Sequence, residues 1–286
     1  PAVHLDVLPR GVPGGWADVP LAGRGESIPD DRVGRWDPPL IDLAPPTGLP
    51  VCDDRGVCVV GRGVLSAADR GRLLDALGSA PTEPVGVTGV RADAGVGSMR
   101  STAFSVELAG SLWRRVRPLV ASVRFLDEFD PTDGHAAAGR DGHRTWRAVG
   151  LSPLLRFMRY EPGGQHLCHY DAGYDYGDGR RTLVSAVFFL AGVADDAGAG
   201  GASRGALRFV EDGQGHLPVA SRRHDDWDRP TRDDEVLDAI APTAGDVVLF
   251  DHRRCHDVET WSGPGCRVVI RADVVYERVP DGLAPG

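Results

Sequence analysis

The chain has 286 residues, 42% of them hydrophobic and 26% charged, which is long enough for one large or two small domains with a full core. Its formal net charge of −9 argues against nonspecific binding to nucleic acid or anionic membranes, and no apolar run is long enough to cross a bilayer. There is no lysine or asparagine, so all 32 basic residues are arginine; this is the mark of a GC-rich coding sequence and says nothing about chemistry. The first residues, P-A-V-H-L-D-V-L-P-R, lack a basic segment followed by an apolar stretch, so the expectation is a cytoplasmic protein without a signal peptide. Five widely spaced cysteines without a C-x-x-C read as buried thiols.

Residues 1–50 are rich in Pro and Gly without periodicity and are expected to form an arm, leaving 51–286 as one domain. V-C-V-V at 57–60 reads as a short strand. Ser66 to Asp69 reads as a capping box opening a helix with Leu73, Leu74 and Leu77 on one face, ending at Gly78. A second helix is expected over 108–123, with a kink at Pro118. After Trp146 the chain turns to strands: L-L-R-F-M-R-Y, T-L-V-S-A-V-F-F-L, G-A-L-R-F-V, G-D-V-V-L-F-D and C-R-V-V-I-R-A-D-V-V-Y. Helices followed by many short strands predict an α+β domain on a β-sandwich or barrel. Two long polar stretches, 125–147 and 211–240, interrupt the pattern; the second is placed to cover a site as a lid.

The stretch Q-H-L-C-H-Y-D-A-G-Y at 165–174 holds four side chains able to bind a metal. On a strand, His169 and Asp171 share one face while His166 and Cys168 share the other. A His-x-Asp pair completed by a distant His is a 2-His-1-carboxylate set, the arrangement that binds Fe(II) and leaves positions open. His252 and His256 in L-F-D-H-R-R-C-H-D-V offer the third ligand. Arg267 lies eleven residues past His256, and alternation puts it on one face with Arg271 and Asp273, opposite Val268, Ile270 and Val274. Arg271 and Asp273 can satisfy each other, which leaves Arg267 for an outside anion. Zinc with Cys168 and Cys255 as thiolates is the rival metal, but each cysteine precedes a proposed ligand and points away on a strand.

R-Y-E-P-G-G, H-Y-D-A-G-Y, G-A-L-R-F, A-G-D-V-V-L-F-D-H-R-R-C-H-D and G-C-R-V-V-I-R-A-D-V-V-Y occur in the order of the 2-oxoglutarate/Fe(II)-dependent oxygenases. The chain resembles their prolyl-4-hydroxylase-like branch over roughly residues 57–276, most strongly from 146 onward. The resemblance implies a double-stranded β-helix, with its core at about 150–276, behind an N-terminal helical layer. It implies His169, Asp171 and His256 as iron ligands and catalytic residues, and Arg267 as the anchor of the far carboxylate of 2-oxoglutarate. Tyr160 would line the co-substrate pocket. Arg271 is the alternative anchor, because the His-to-Arg spacing is slightly long for the family. Phe189 and Leu207 depart from a Tyr and a Thr used by some relatives.

The implied reaction couples decarboxylation of 2-oxoglutarate, with O2, to oxidation of a C–H bond. Halogenation is disfavoured, since halogenating relatives carry a small residue where Asp171 stands. Tyr174, Tyr176, Trp227 and Arg208 are the substrate-binding candidates. The expected substrate is a small, amino-acid-derived metabolite; the alternatives are a peptidyl side chain, a β-helix protein that binds without turnover, and a zinc hydrolase.

Overall fold

The structure is a computed structural model that describes residues 35–36, 38–41, 43–46, 48–84, 97–123, 145–171, 173–174, 176, 178–192, 205–213, 230–241 and 243–279. Short strands β1 (Arg35–Trp36), β2 (Val51–Asp54) and β3 (Val59–Arg62) lead into helix α1 (Ala67–Leu77). The helix begins where Ser66 Oγ accepts from the Asp69 N–H at 3.1 Å, while Asp69 accepts from the Ser66 N–H at 3.3 Å. This reciprocal pair satisfies two donors that the first turn would leave orphaned. Strands β4 (Glu83–Pro84) and β5 (Ser98–Phe104) follow, then helix α2 (Val106–Val120). Ser105 caps α2 by accepting from the Leu108 N–H, so the helix starts two residues earlier than the apolar spacing suggested. Pro118 falls in its last turn, just before the helix ends.

The remaining strands are β6 (Thr145–Leu151), β7 (Leu154–Tyr160), β8 (His166–His169), β9 (Arg180–Ala191), β10 (Leu207–Val210), β11 (Val236–Ile240), β12 (Val247–Asp251), β13 (His256–Val258) and β14 (Arg267–Val279). They make two sheets. The larger has the order β1-β5-β7-β14-β9-β12-β3-β2, with β4 on β5 and β6 on the far half of β14; the smaller is β11-β10-β13-β8. This is the double-stranded β-helix: from β7 to β14 the chain passes back and forth between two facing sheets, with β10 and β11 as antiparallel neighbours in the smaller one.

Alternation along the central strands builds two cores. Val184, Ala186, Phe188 and Leu190 of β9, with Ile270, Ala272 and Val274 of β14, pack with Leu73 of α1 and Leu108, Leu112, Val116 and Leu119 of α2. The opposite face, with Val187 and Phe189 of β9 and Val269 of β14, meets Leu207 and Phe209 of β10 and Val258 of β13. Ser185, Arg267, Arg271 and Asp273 alternate onto this inner face, in the space between the sheets. Within 1–50, β1 pairs with β5, and Trp36, Ile41 and Leu43 are buried in the helix-side core. Residues 1–34 lie outside the described residues. Among the described residues, no helix is long and apolar enough to cross a membrane.

Candidate metal and anion site

β8 and β13 run antiparallel with His169 directly opposite His256, and their ring centroids are 4.3 Å apart. Asp171, two residues past His169, is anchored where its N–H donates to the His252 carbonyl at 3.2 Å. One nitrogen or oxygen from each of His169, Asp171 and His256 lies within 4.8 Å of the others. Both imidazoles are oriented alike. His169 Nδ1 is 2.8 Å from the Leu167 carbonyl, and His256 Nδ1 is 2.9 Å from the Arg254 carbonyl. A carbonyl only accepts, so each Nδ1 carries the proton and each Nε2 keeps its lone pair. Those Nε2 atoms lie 3.9 and 3.8 Å from the Asp171 carboxylate. Burial, with its neighbouring histidines, pushes the His169 pKa well below its ordinary value, and burial lowers that of His256. Neutral imidazoles are the form that ligates.

Asp171 is buried at 5% exposure, which alone would favour its neutral form. Arg271 Nη1 at 3.0 Å and the surrounding histidines outweigh burial and hold the carboxyl below the usual carboxylate range. Ser185 Oγ donates to Asp171 Oδ2. Arg271 Nη2 also bonds Asp273 Oδ1 at 3.0 Å; Asp273, fully buried, accepts from Arg156 Nη1 at 2.8 Å, and Arg156 Nη2 donates to the Tyr174 hydroxyl at 2.8 Å. An alternating chain of charge, Asp171–Arg271–Asp273–Arg156, therefore backs the carboxylate.

Arg267 stands apart from this chain. It is 1% exposed at the start of β14, opposite Tyr160 of β7. Its guanidinium lies 5.4 Å from the Tyr160 ring centre and 5.3 Å from that of Phe189. Nη1 donates to the Gly205 carbonyl, Nε has no partner, and among the described residues no carboxylate pairs with it. Burial pushes its pKa down to about 10 and that of Tyr160 up to about 12. The chain makes room for Arg267 with glycines at positive φ: a Cβ on Gly192 (φ 74°) would collide with the Arg267 backbone, and one on Gly205 (φ 74°) would press on Trp261 at 2.9 Å.

The other candidates have different surroundings. Tyr174 holds Arg156 and packs with the buried Tyr176 beside Val275 and Phe104. Arg208 is bidentate to Asp257 at 2.9 and 2.6 Å, and Thr231 Oγ1 donates to the same carboxylate at 2.5 Å. Trp227 lies outside the described residues. His166 is where alternation fails. Three steps of β8, from His166 to His169, span two steps of β13, so a bulge returns His166 to the face of His169, where the rings stack at 4.1 Å. Cys168 stays with Cys255 in a separate cluster and joins no metal set among the described residues. Ser185 was missed, although a hydroxyl inside the apolar run T-L-V-S-A-V-F-F-L was the available signal.

Residues 155–272 match the family model described as the 2OG-Fe(II) oxygenase superfamily. Over this segment the chain is similar to that superfamily, a likeness that points to Fe(II), 2-oxoglutarate and O2. No curated protein matches the chain. Among solved structures it is similar to the viral collagen prolyl hydroxylase of Paramecium Bursaria Chlorella virus-1 (14% identity, 78% of this chain and 98% of that one, TM-score 0.42). It is also similar to HygX from Streptomyces hygroscopicus with nickel and 2-oxoglutarate bound (13%, 80% and 84%, 0.46) and to a Pseudomonas putida prolyl-4-hydroxylase (18%, 73% and 82%, 0.38).

The residues present fit both groups that the family implies. Two lone-pair-bearing imidazoles and an ionised carboxylate make a donor set suited to Fe(II). A buried guanidinium with no carboxylate in ion-pair contact among the described residues, and only Glu259 acting on it from farther off, fits an incoming carboxylate, since a buried charge is costly until it is paired.

Proposed function

We propose that the protein is a 2-oxoglutarate- and Fe(II)-dependent dioxygenase that oxidises, by hydroxylation, a C–H bond of a small, amino-acid-derived metabolite. His169, Asp171 and His256 would hold the iron. Arg267 would take the far carboxylate of 2-oxoglutarate beside Tyr160. When bound, iron and co-substrate supply oxidative decarboxylation with O2, releasing succinate and CO2 and driving attack on an unactivated C–H bond.

This chain's own residues do the rest. Nδ1 bonds to Leu167 and Arg254 fix both ligand tautomers, and Arg271 with Ser185 keeps the third ligand ionised and oriented. Tyr160, Phe189 and Trp261 keep water from Arg267, which strengthens its pairing with a carboxylate. The single observation that carries the reading is Arg267: a fully enclosed cation on the same inner face as a His–Asp–His set, with no carboxylate in ion-pair contact among the described residues. The four-residue step from Arg267 to Arg271, which touches Asp171, is about 13 Å of extended strand.

The small substrate is an expectation from the sequence; of the 211–240 stretch expected to act as a lid, 214–229 lies outside the described residues, and its end forms β11. The test is anaerobic: Fe(II), then 2-oxoglutarate, is added to metal-free protein. A weak visible charge-transfer band in the wild type that is lost in His256→Ala supports the site; no band from folded protein overturns it. Succinate release is then compared with free amino-acid derivatives and with prolyl peptides. Stimulation by peptides alone would replace the metabolite with a peptidyl substrate.

A further inference from the structure

Two thiols sit directly behind the histidine pair. Cys168 immediately precedes His169 on β8, and Cys255 immediately precedes His256 at the start of β13. They are 87 residues apart in sequence, yet their sulfurs are 2.6 Å apart. That is well inside the spacing of about 3.5–4 Å at which side chains merely pack. Both are buried, at 6% and 4% exposure, in a small cluster with Val210 and the half-buried Tyr170. The candidate metal set uses neither. Of the other three cysteines, Cys52 is exposed, Cys58 is buried in the inter-sheet core, and Cys266 donates to Glu161 at 3.0 Å.

We propose that Cys168 and Cys255 are a modification site, a dithiol that closes to a disulfide bridging β8 and β13. The oxidant is hydrogen peroxide. One sulfur, as thiolate, attacks a peroxide oxygen; an S–O bond forms, the O–O bond breaks, and the departing hydroxide takes up the thiol's proton as water. The second sulfur then displaces the sulfenic oxygen; the S–S bond forms, the S–O bond breaks, and a second water carries away the second proton. Two thiols and one peroxide thus give one disulfide and two waters, with two electrons passing from sulfur to oxygen.

The bridge ties together the residues next to two of the three proposed ligands. It fixes the ladder in which His169 faces His256, and it closes a long loop containing β9, β10, β11 and β12. Closing a loop of that length restricts the unfolded chain more than a short bridge would. The chemistry rests on the two sulfurs alone and stands whether or not the oxygenase reading holds.

The test takes the full chain, stripped of metal so that peroxide is not consumed there, and exposes it for hours to excess peroxide, because buried thiols react slowly. Remaining thiols are alkylated under denaturing conditions, and the protein is digested without reductant. A linked peptide joining Cys168 to Cys255, two hydrogens lighter than its reduced parts, with Cys52, Cys58 and Cys266 alkylated, is the expected result. Alkylation of Cys168 as complete as that of Cys58, or bridges to other cysteines instead, overturns the proposal. The bridged form should also melt several degrees higher than the reduced form, a difference absent from Cys168→Ser. Equal melting of the two wild-type forms overturns the stapling role. Should Cys168→Ser fail to fold, Cys255→Ser serves as the control, and the peptide map of the wild type needs neither variant.

Discussion

Arg267 and Arg271 lie four residues apart on one face of β14, yet their charges are treated in opposite ways. Arg271 is bracketed by Asp171 and Asp273, each at 3.0 Å. Arg267, more deeply buried, has the Gly205 carbonyl, two aromatic rings and no carboxylate among the described residues. A charge removed from water needs compensation, so a compensated arginine belongs to the folded protein alone, whereas an uncompensated one belongs to a complex not yet formed. On the proposed reading, Arg271 would orient a metal ligand and Arg267 would receive the co-substrate.

Removing the carboxylate they are measured against has the largest expected effect. Asp171→Ala deletes a proposed ligand and leaves Arg271 paired with Asp273 alone, so coupled succinate formation should fall at least about 10³-fold, and iron should no longer be retained through a desalting column. Product formed at near wild-type rate would remove Asp171 from the metal. Arg267→Ala should raise the 2-oxoglutarate requirement roughly 10²-fold, the range for truncating one partner of a buried charge pair, with the Fe(II) requirement little changed. Arg271→Ala should behave the other way. It leaves two buried carboxylates facing each other, so about 3 kcal/mol of stability and roughly ten-fold in iron affinity should be lost, while the 2-oxoglutarate requirement moves little. If Arg271→Ala instead raises the 2-oxoglutarate requirement and Arg267→Ala does not, the roles of the two arginines are exchanged.

Much of this contrast was legible before any coordinates. The His-x-Asp spacing, the late His and the alternation of β14 are local patterns, and period two carries them without knowledge of the fold. Alternation also paired Arg271 with Asp273. It could not show that Arg271 reaches Asp171 or that Arg156 arrives from β7, because those contacts cross between strands 100 and 117 positions apart. His166 shows the limit most clearly. One extra residue in β8 reverses its face, and a bulge depends on the register with β13, which the strand's own residues do not encode. Arg208 looked available in G-A-L-R-F but meets Asp257, its neighbour across the β10–β13 ladder, a partner visible only once the register is known.

Protons test the site more gently than truncation. His169 and His256 have pKa values below their ordinary range in the folded chain, so at mildly acidic pH the unfolded chain binds more protons than the folded one. Stability of the metal-free protein is then full above the unfolded value near 6.5 and falls as pH drops below it toward the folded values. A melting temperature that declines between about pH 7.5 and 5.5, and declines less in His256→Gln, is the expected outcome. A flat profile would mean that the folded histidines titrate as they do in the unfolded chain.

Ser185→Ala should have the smallest effect, and it probes the Arg271 side of the comparison alone. The hydroxyl donates to Asp171 Oδ2 while Arg271 holds Oδ1, so its loss leaves the carboxylate ionised but free to rotate toward the arginine. A hydrogen bond to a charged group contributes about 1.5 kcal/mol, which corresponds to roughly ten-fold weaker iron binding at most. Arg267 is untouched, so the 2-oxoglutarate concentration needed to develop the charge-transfer band at saturating iron should stay at the wild-type value. A rise in that concentration matching the loss in iron affinity would show that the two ends of β14 are coupled, and the separation of an arginine that positions from one that binds would fail.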